Sequence, residues 1–595
     1  MYSNRVVAVR RTMSARNIDA FLLPRSDQYL NEDLAPADER LLWLCGFSGS
    51  QGVLALTESS AALLVDGRYS VQAEQECGDW LDVLDLDDGL LFDWLQKQLP
   101  EGSTVGIHAC LHSAAQWQLW SGLAAARGLN LVPMDQNPVD TCWADRPALP
   151  ASPVTEQPLR WAGESSTDKL SKLAVMLREV GCDGLWLPAP DMVAWLLNVR
   201  GQDIDIAPLP FSSALLYADG SLDWFIDVAR LQLPAGWLPN EVETYPPAVA
   251  ERLAEHLIRR GCRRIWLEPA SCNASTFEQL QRGGASLHLA PHPLLLMRAR
   301  KNAAELAGMR EAHVVDGLAL CRFLHQFDEY PQRFLGEDEL AVSAALELSR
   351  RSNTDYRGVS FETIAACGAN GAQPHYLPKP EHAGRMEKGQ LLLIDSGGQY
   401  PQGTTDVTRV LPIGSATVRQ RALYTRVLRA HIALASSRFP KGTSGQQLDS
   451  IARSVMWQAG LDYAHGTGHG VGNYLHVHEG PQRIAKHASP VALESGMVVS
   501  IEPGVYLPGD LGIRIENLYE VMACERFAGF LVFRALTLAP FEPSLIDREQ
   551  MGASELRWLD DYHERVCRSL APHMEPEVVE WLQGRAGAEQ SAEPL

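Results

Sequence analysis

Asp395, Asp406, His469, Glu502 and Glu516 lie within one glycine-rich region of a 595-residue chain. Four carboxylates brought together without compensation repel one another and raise one another's pKa values, and two divalent cations reverse that penalty. The set therefore suits a pair of metal ions sharing one hydroxide, the arrangement of a metallohydrolase. His469 is the one nitrogen donor, so the oxygen-rich set suits Mn, Co, Zn or Fe and not a closed thiolate zinc site. Its second ring nitrogen needs an acceptor that the sequence does not identify.

His469 belongs to His465-Gly466-Thr467-Gly468-His469-Gly470, a run whose glycines let backbone approach a ligand closely. His375 and His478 sit in similar glycine-bearing loops, and neutral imidazoles there can donate to or accept from a peptide near neutral pH. His382, His476 and His487 are read as surface or packing residues. Ser396 and Ser500 lack the Gly-x-Ser-x-Gly elbow of a serine nucleophile, and no Walker-type phosphate loop is present.

The elements that must position these groups follow from local pattern. Leu391 to Asp395 is an apolar strand ending in a carboxylate, and Asp406 opens a return strand eleven residues later, across Gln399 to Gly403. The device repeats where Val498 to Glu502 leads through the Pro508-Gly509-Asp510 turn into Gly512 to Glu516. Side-chain alternation there puts Ile513 and Ile515 on one face and Arg514 with Glu516 on the other, so Arg514 can reach the ligand side.

Length and a 46% apolar composition predict several domains. The formal charge of -21, with no long basic run, disfavours a nucleic-acid partner. No signal peptide or membrane span is expected. Eleven cysteines without CxxC pairs predict reduced thiols and a cytoplasmic location.

The strand Ile18 to Pro24 and the hairpin Gly52–Thr57 with Ala61–Val65 mark a first α/β domain, 1–155. The segment from Pro147 to Pro158, with four prolines, reads as a linker. A helix from Thr167 to Val180 and a strand from Cys182 to Pro188 repeat the opening of the first domain, which predicts a related domain at 156–295. A basic, alanine-rich helix from about Leu296 opens the third, 296–545. Leu556, Leu559, Tyr562, Val566 and Leu570 outline an amphipathic helix in a C-terminal extension, 546–584, and 585–595 reads as a disordered tail.

Several motifs together carry a resemblance. Gly46-Phe47-Ser48-Gly49-Ser50, Asp66-Gly67-Arg68-Tyr69, Trp195 to Gly201, Ser360 to Ile364, Gly368 to Ala372 and the His465 to Gly470 run resemble the creatinase and methionine aminopeptidase superfamily, within it the long three-domain Xaa-Pro aminopeptidases. The resemblance implies an α/β chain in which two related creatinase-N-terminal-like domains precede a pita-bread catalytic domain. It implies a dinuclear site active with manganese, with zinc or cobalt as alternatives. Asp395 would hold one metal through both oxygens, Asp406 and Glu516 would bridge, and His469 with Glu502 would complete the other. His375, His465 and His478 match substrate and transition-state histidines, and Arg514 the site arginine.

The activity implied is release of the first residue from peptides with proline second, by a metal-bridging hydroxide. Glu502 is the candidate to carry the water proton to the proline nitrogen, and Tyr376 and Tyr506 are candidates for an apolar wall against the ring. Family members of this length are dimers through the catalytic domain, which places Trp457 on the contact helix. The alternatives are an Xaa-Pro dipeptidase and a catalytically inactive peptide-binding relative.

Overall fold

The computed structural model describes residues 2–487 and 489–585. The chain forms two compact units, residues 1–159 with 164–294 and residues 160–163 with 295–595. The first holds two six-stranded sheets. Counted along the chain within each sheet, both have the strand order fourth, third, second, first, fifth, sixth. Both make antiparallel pairs from first to second and second to third, and parallel pairs elsewhere. The repeat seen in the sequence is thus a repeat of fold. The predicted first hairpin is present as Val53–Thr57 with Ala61–Val65. The linker is partly structured, because Thr155–Glu156 pairs with Val199–Arg200.

In the second unit the strand Leu391–Ser396 is buried on both faces. Leu391 and Leu393 join one apolar cluster and Leu392 and Ile394 another, which explains its unbroken apolar run. The predicted helix near Leu296 is two helices, Pro293–Ala299 and Ala303–Glu329. Asn302 separates them, because its side chain caps the N–H groups of Ala304 and Glu305 while Glu305 returns a bond to the Asn302 N–H at 2.9 Å. Arg298 and Lys301 are therefore not a basic helical face. Both are buried against Glu479, with Lys301 Nζ 2.5 Å and Arg298 Nε 3.2 Å from its oxygens.

The amphipathic helix Ala553–Leu570 lays Leu559, Tyr562, Val566 and Leu570 into the same core as Leu391 and Ile513. A last helix, Pro576–Arg585, ends in a paired residue. Arg585 reaches Asp328 and Glu542, each at 2.6 Å, so the tail predicted from 585 does not include Arg585, and 586–595 lie outside the described residues.

Two histidines of this unit make its stability depend on acid. His431 Nδ1 donates to the Ile515 carbonyl and its Nε2 accepts the Tyr519 O–H, and His563 Nε2 accepts the Phe541 N–H. Burial, reinforced by Arg409, holds each neutral and lowers each pKa to about 3. An unfolded histidine takes up its proton near 6.5, so below that pH the unfolded chain binds more protons than the folded one. Stability is expected to fall as pH drops from about 6.5 towards 3. Denaturant midpoints against pH should show this slope, and His563→Gln, which keeps an acceptor for Phe541, should flatten it. An unchanged slope would remove His563 from the account.

Candidate metal centre

Asp395 lies one residue from the end of its strand, which pairs antiparallel with Val407–Pro412, Asp395 facing Thr408 and Ser396 facing Val407. That register sets Asp406 across from Gly397, so the two aspartates are diagonal neighbours on one face and not directly opposed. The segment between them is not a simple turn, since Gly398–Tyr400 pairs with Gly403–Thr404. In the second hairpin Gly504 faces Arg514, and on the adjoining strands Ile501 faces Asn517. The same register brings Glu502 opposite Glu516. Ile513 and Ile515 enter the core, and Arg514 and Glu516 point the other way.

Two glycines permit the close approaches. A Cβ at Gly468 would lie 2.0 Å from the Ser500 carbonyl oxygen, and one at Gly512 would lie 1.6 Å from the Gly371 carbonyl oxygen. The first lets His469 reach Ser500, whose Oγ accepts the His469 N–H at 2.9 Å. Ser500 is a support and not a nucleophile. His469 Nδ1 donates to the Gly470 carbonyl at 2.9 Å, the acceptor missing from the sequence, which turns Nε2 towards the carboxylates.

Asp406, His469 and Glu516 bring one donor atom each within 4.8 Å of one another. His469 Nε2 is 3.4 Å from Asp406 Oδ2 and 3.7 Å from Glu502 Oε1. Arg514 ties in Asp395, donating from Nη2 to Asp395 Oδ2 at 2.5 Å and from Nε to Thr408 Oγ1 at 3.2 Å. Thr408 in turn donates to Glu516 Oε2 at 2.8 Å. The five sequence-predicted ligands therefore share one neighbourhood.

Burial pushes Asp395 up to about 6 although Arg514 opposes the shift, and Asp406 adds repulsion. Burial also raises Glu502, against His469 and Arg514. Glu516 is raised well above the carboxylate range by burial and then by Asp406 and Asp395. One buried guanidinium does not compensate this cluster. Asp395 Oδ1 and Asp406 Oδ1 are buried without a hydrogen-bond partner among the described residues, the condition a bound cation relieves. The donor set fits divalent metal.

The three other predicted histidines differ. The His478 ring meets that of His469 edge-on, 4.4 Å between centroids, and is exposed. His375 is half-buried in the turn after the short helix Gly368–Ala372, which packs on the strand Leu511–Arg514. His465 is buried, with Nδ1 bonded to the Gly466 carbonyl at 2.7 Å and Nε2 to Tyr506 O–H at 2.7 Å. Arg514 Nη1 donates to the same phenol oxygen at 2.8 Å. Tyr506 is thus committed by its hydroxyl to the polar network, and the Tyr376 hydroxyl is committed to Glu339 at 2.7 Å. Neither is the purely apolar wall the sequence suggests.

Comparison with known proteins accords with this geometry. Residues 307–523 match metallopeptidase family M24, residues 5–142 and 145–305 each match the creatinase/prolidase N-terminal domain, and residues 529–587 match the C-terminal region of peptidase M24. Aminopeptidase P1 of Arabidopsis thaliana is 35% identical over 95% of this chain and 96% of its own length. The chain belongs to the aminopeptidase P family. A probable Xaa-Pro aminopeptidase P of Laccaria bicolor is 36% identical over 98% of this family member and 92% of its own chain. A crystal structure of X-prolyl aminopeptidase from Caenorhabditis elegans, described as a cytosolic enzyme with a di-nuclear active site, superposes over 100% of both chains with TM-score 0.91 and 30% identity. An Xaa-Pro dipeptidase from Bacillus anthracis shares the fold over 64% of this family member, with TM-score 0.51 and 22% identity. The second unit is accordingly the pita-bread M24 fold, preceded by two creatinase-type domains.

Sequence reading missed several supports of this aminopeptidase P site. Thr408 was within reach, standing two residues after Asp406 on the same face. Arg409 was not. It is 3% exposed and donates to the Glu516 carbonyl at 2.7 Å, the Thr408 carbonyl at 2.8 Å, the Pro540 carbonyl at 2.9 Å, the Ala539 carbonyl at 2.7 Å and Tyr562 O–H at 3.2 Å. Apart from the adjoining Thr408 carbonyl, those acceptors are remote in the chain, and most are backbone.

Proposed function

We propose that the chain is a metal-dependent aminopeptidase that releases the first residue from peptides with proline in second place. The observation that carries this reading is the convergence of Asp406, His469 and Glu516 beside two orphaned aspartate oxygens. It gains weight from a chain-length likeness to an X-prolyl aminopeptidase with a di-nuclear site.

Asp395, Asp406, His469, Glu502 and Glu516 would hold two divalent cations, with manganese favoured and zinc or cobalt as alternatives. Bound there, the pair supplies Lewis acidity and lowers the pKa of water. Asp406 and Glu516 lie with His469 within 4.8 Å, where they would hold metal, and Thr408 fixes the Glu516 carboxylate. Glu502, with Oε1 on the His469 side, would take up a proton and return it to the proline nitrogen, an otherwise poor leaving group. His478, exposed beside His469, and His375 donate to peptide oxygen as charge develops. His465 works through Tyr506 and Arg514, which keep Asp395 in place.

Eleven free cysteines support a reducing, cytoplasmic setting, and no helix among the described residues is long and apolar enough to cross a membrane. Trp457, 49% exposed at the end of the helix Gly445–Trp457, supports a homodimer through the catalytic unit.

A substrate panel tests the activity. After reconstitution with Mn, Co or Zn, a free Xaa-Pro-Xaa tripeptide should be cleaved after its first residue, and the N-acetylated peptide should react at least about 100-fold more slowly, since a blocked amine removes a positioning contact. Cleavage of Xaa-Pro dipeptides alone would convert the reading to a dipeptidase.

A further inference from the structure

Glu339 opens the helix Glu339–Arg351 and is 0% exposed, yet among the described residues it makes no ion pair. Its oxygens accept from neutral donors instead. Oε1 takes the Cys367 N–H at 2.7 Å and Asn370 Nδ2 at 3.0 Å, and Oε2 takes the Tyr376 O–H at 2.7 Å and the Gly384 N–H at 2.6 Å. Its own N–H donates to the Gly384 carbonyl at 3.1 Å. A buried carboxylate is tolerated when its lone pairs are filled in this way, and bonds to a charged acceptor are the stronger kind.

The donors all belong to one loop, and they hold it at both ends and in the middle. Cys367 ends the strand Ile364–Cys367, which pairs with the strand of Asp395. Asn370 lies in the short helix packed on the strand of Arg514, and Asn370 Nδ2 also reaches the Tyr376 oxygen at 3.0 Å. Tyr376 directly follows His375. Burial and the Glu339 carboxylate both push the Tyr376 phenol up, so it keeps its proton and acts as a donor.

We propose that Glu339 is a positioning residue for the peptide-cleaving reaction, setting the His375 loop against the metal centre without touching substrate. The inference rests on the reading that His375 meets the peptide. Replacing Glu339 by Gln turns one acceptor into a donor that confronts N–H and O–H groups. Tyr376→Phe is the milder change, removing one bond and keeping the ring.

The experiment uses the full-length, metal-loaded protein and an Xaa-Pro-Xaa tripeptide, with Glu339→Gln and Tyr376→Phe made alone and combined with His375→Ala. Glu339→Gln is expected to lower kcat by about tenfold to 100-fold with metal content unchanged, since displacements near 1 Å cost rates of that order. Tyr376→Phe should lower it less. In the His375→Ala background both losses should shrink to within about twofold. Losses that persist undiminished in that background, or unchanged rates, would overturn the proposal. Amide hydrogen exchange across residues 367–384 gives a readout independent of turnover: Glu339→Gln should speed exchange there and leave residues 391–412 unchanged, and protection retained in the loop would also overturn it. A silent His375→Ala with faster loop exchange in Glu339→Gln would sink the role of His375, and the catalytic half of the proposal with it, while leaving the loop contact standing.

Discussion

Asp406→Ala is expected to lower kcat by a factor of about 1,000 or more, equivalent to about 4 kcal/mol of transition-state stabilisation. Asp406 is the aspartate whose carboxylate groups within 4.8 Å of His469 and Glu516, and its Oδ1 has no hydrogen-bond partner among the described residues. Removing it takes a donor from the centre of the set, so bound metal measured by atomic absorption should fall below two per chain. Stability without metal should move the opposite way. Asp406 is the largest electrostatic cause, after burial, of the high Glu516 pKa, so its loss relieves repulsion in the metal-free protein. A variant that loses turnover while its metal-free form resists denaturant as well as the parent would separate a functional acid from a structural one. Full metal content with full activity would sink the proposed centre.

Arg514→Met carries the largest expected cost in stability. The side chain is 2% exposed and bonds Asp395, Tyr506 and Thr408. It is the buried cation that opposes the pKa rise of both Asp395 and Glu502. Deleting one member of a buried pair leaves its partner uncompensated and typically costs about 3–5 kcal/mol. The metal-free variant should lose about that much in urea unfolding. Saturating manganese should recover a large part of the loss, because divalent charge then offsets the same carboxylates. An equal loss with and without metal would show that Arg514 serves packing alone. Arg514→Lys should not rescue, since one ammonium cannot serve three acceptors arranged around a planar fork.

The parts of this site that were legible in the sequence are those in which chemistry and local pattern coincide. Asp395 closes an unbroken apolar run, and alternation at 513–516 assigns Arg514 to the ligand side. The repeated domain opening led to two sheets of one strand order. What escaped were pairings between distant residues. Lys301 looked like part of a basic helix because Glu479 stands 178 residues away. Tyr376 gives no sign of the carboxylate that engages its hydroxyl, since Glu339 stands 37 residues before it, whereas Arg514, which engages Tyr506, lies in the same hairpin and was within reach. Glu339 left no signal at all, since two of its donors are backbone amides and its loop begins 28 residues downstream. The diagonal offset of Asp395 and Asp406 depended on register, which the small sheet between them altered.

Arg409 has a consequence for biogenesis. A ribosome delivers the chain from its amino end, so the strands that carry Asp395 and Asp406 exist long before Ala539, Pro540 and Tyr562 are synthesised. Until those late residues arrive, the guanidinium that grips the Glu516 carbonyl has only part of its coordination by oxygen. A product terminated before Ala539 would carry every metal donor, Glu516 included, while Arg409 lacked the carbonyls of Ala539 and Pro540 and the hydroxyl of Tyr562.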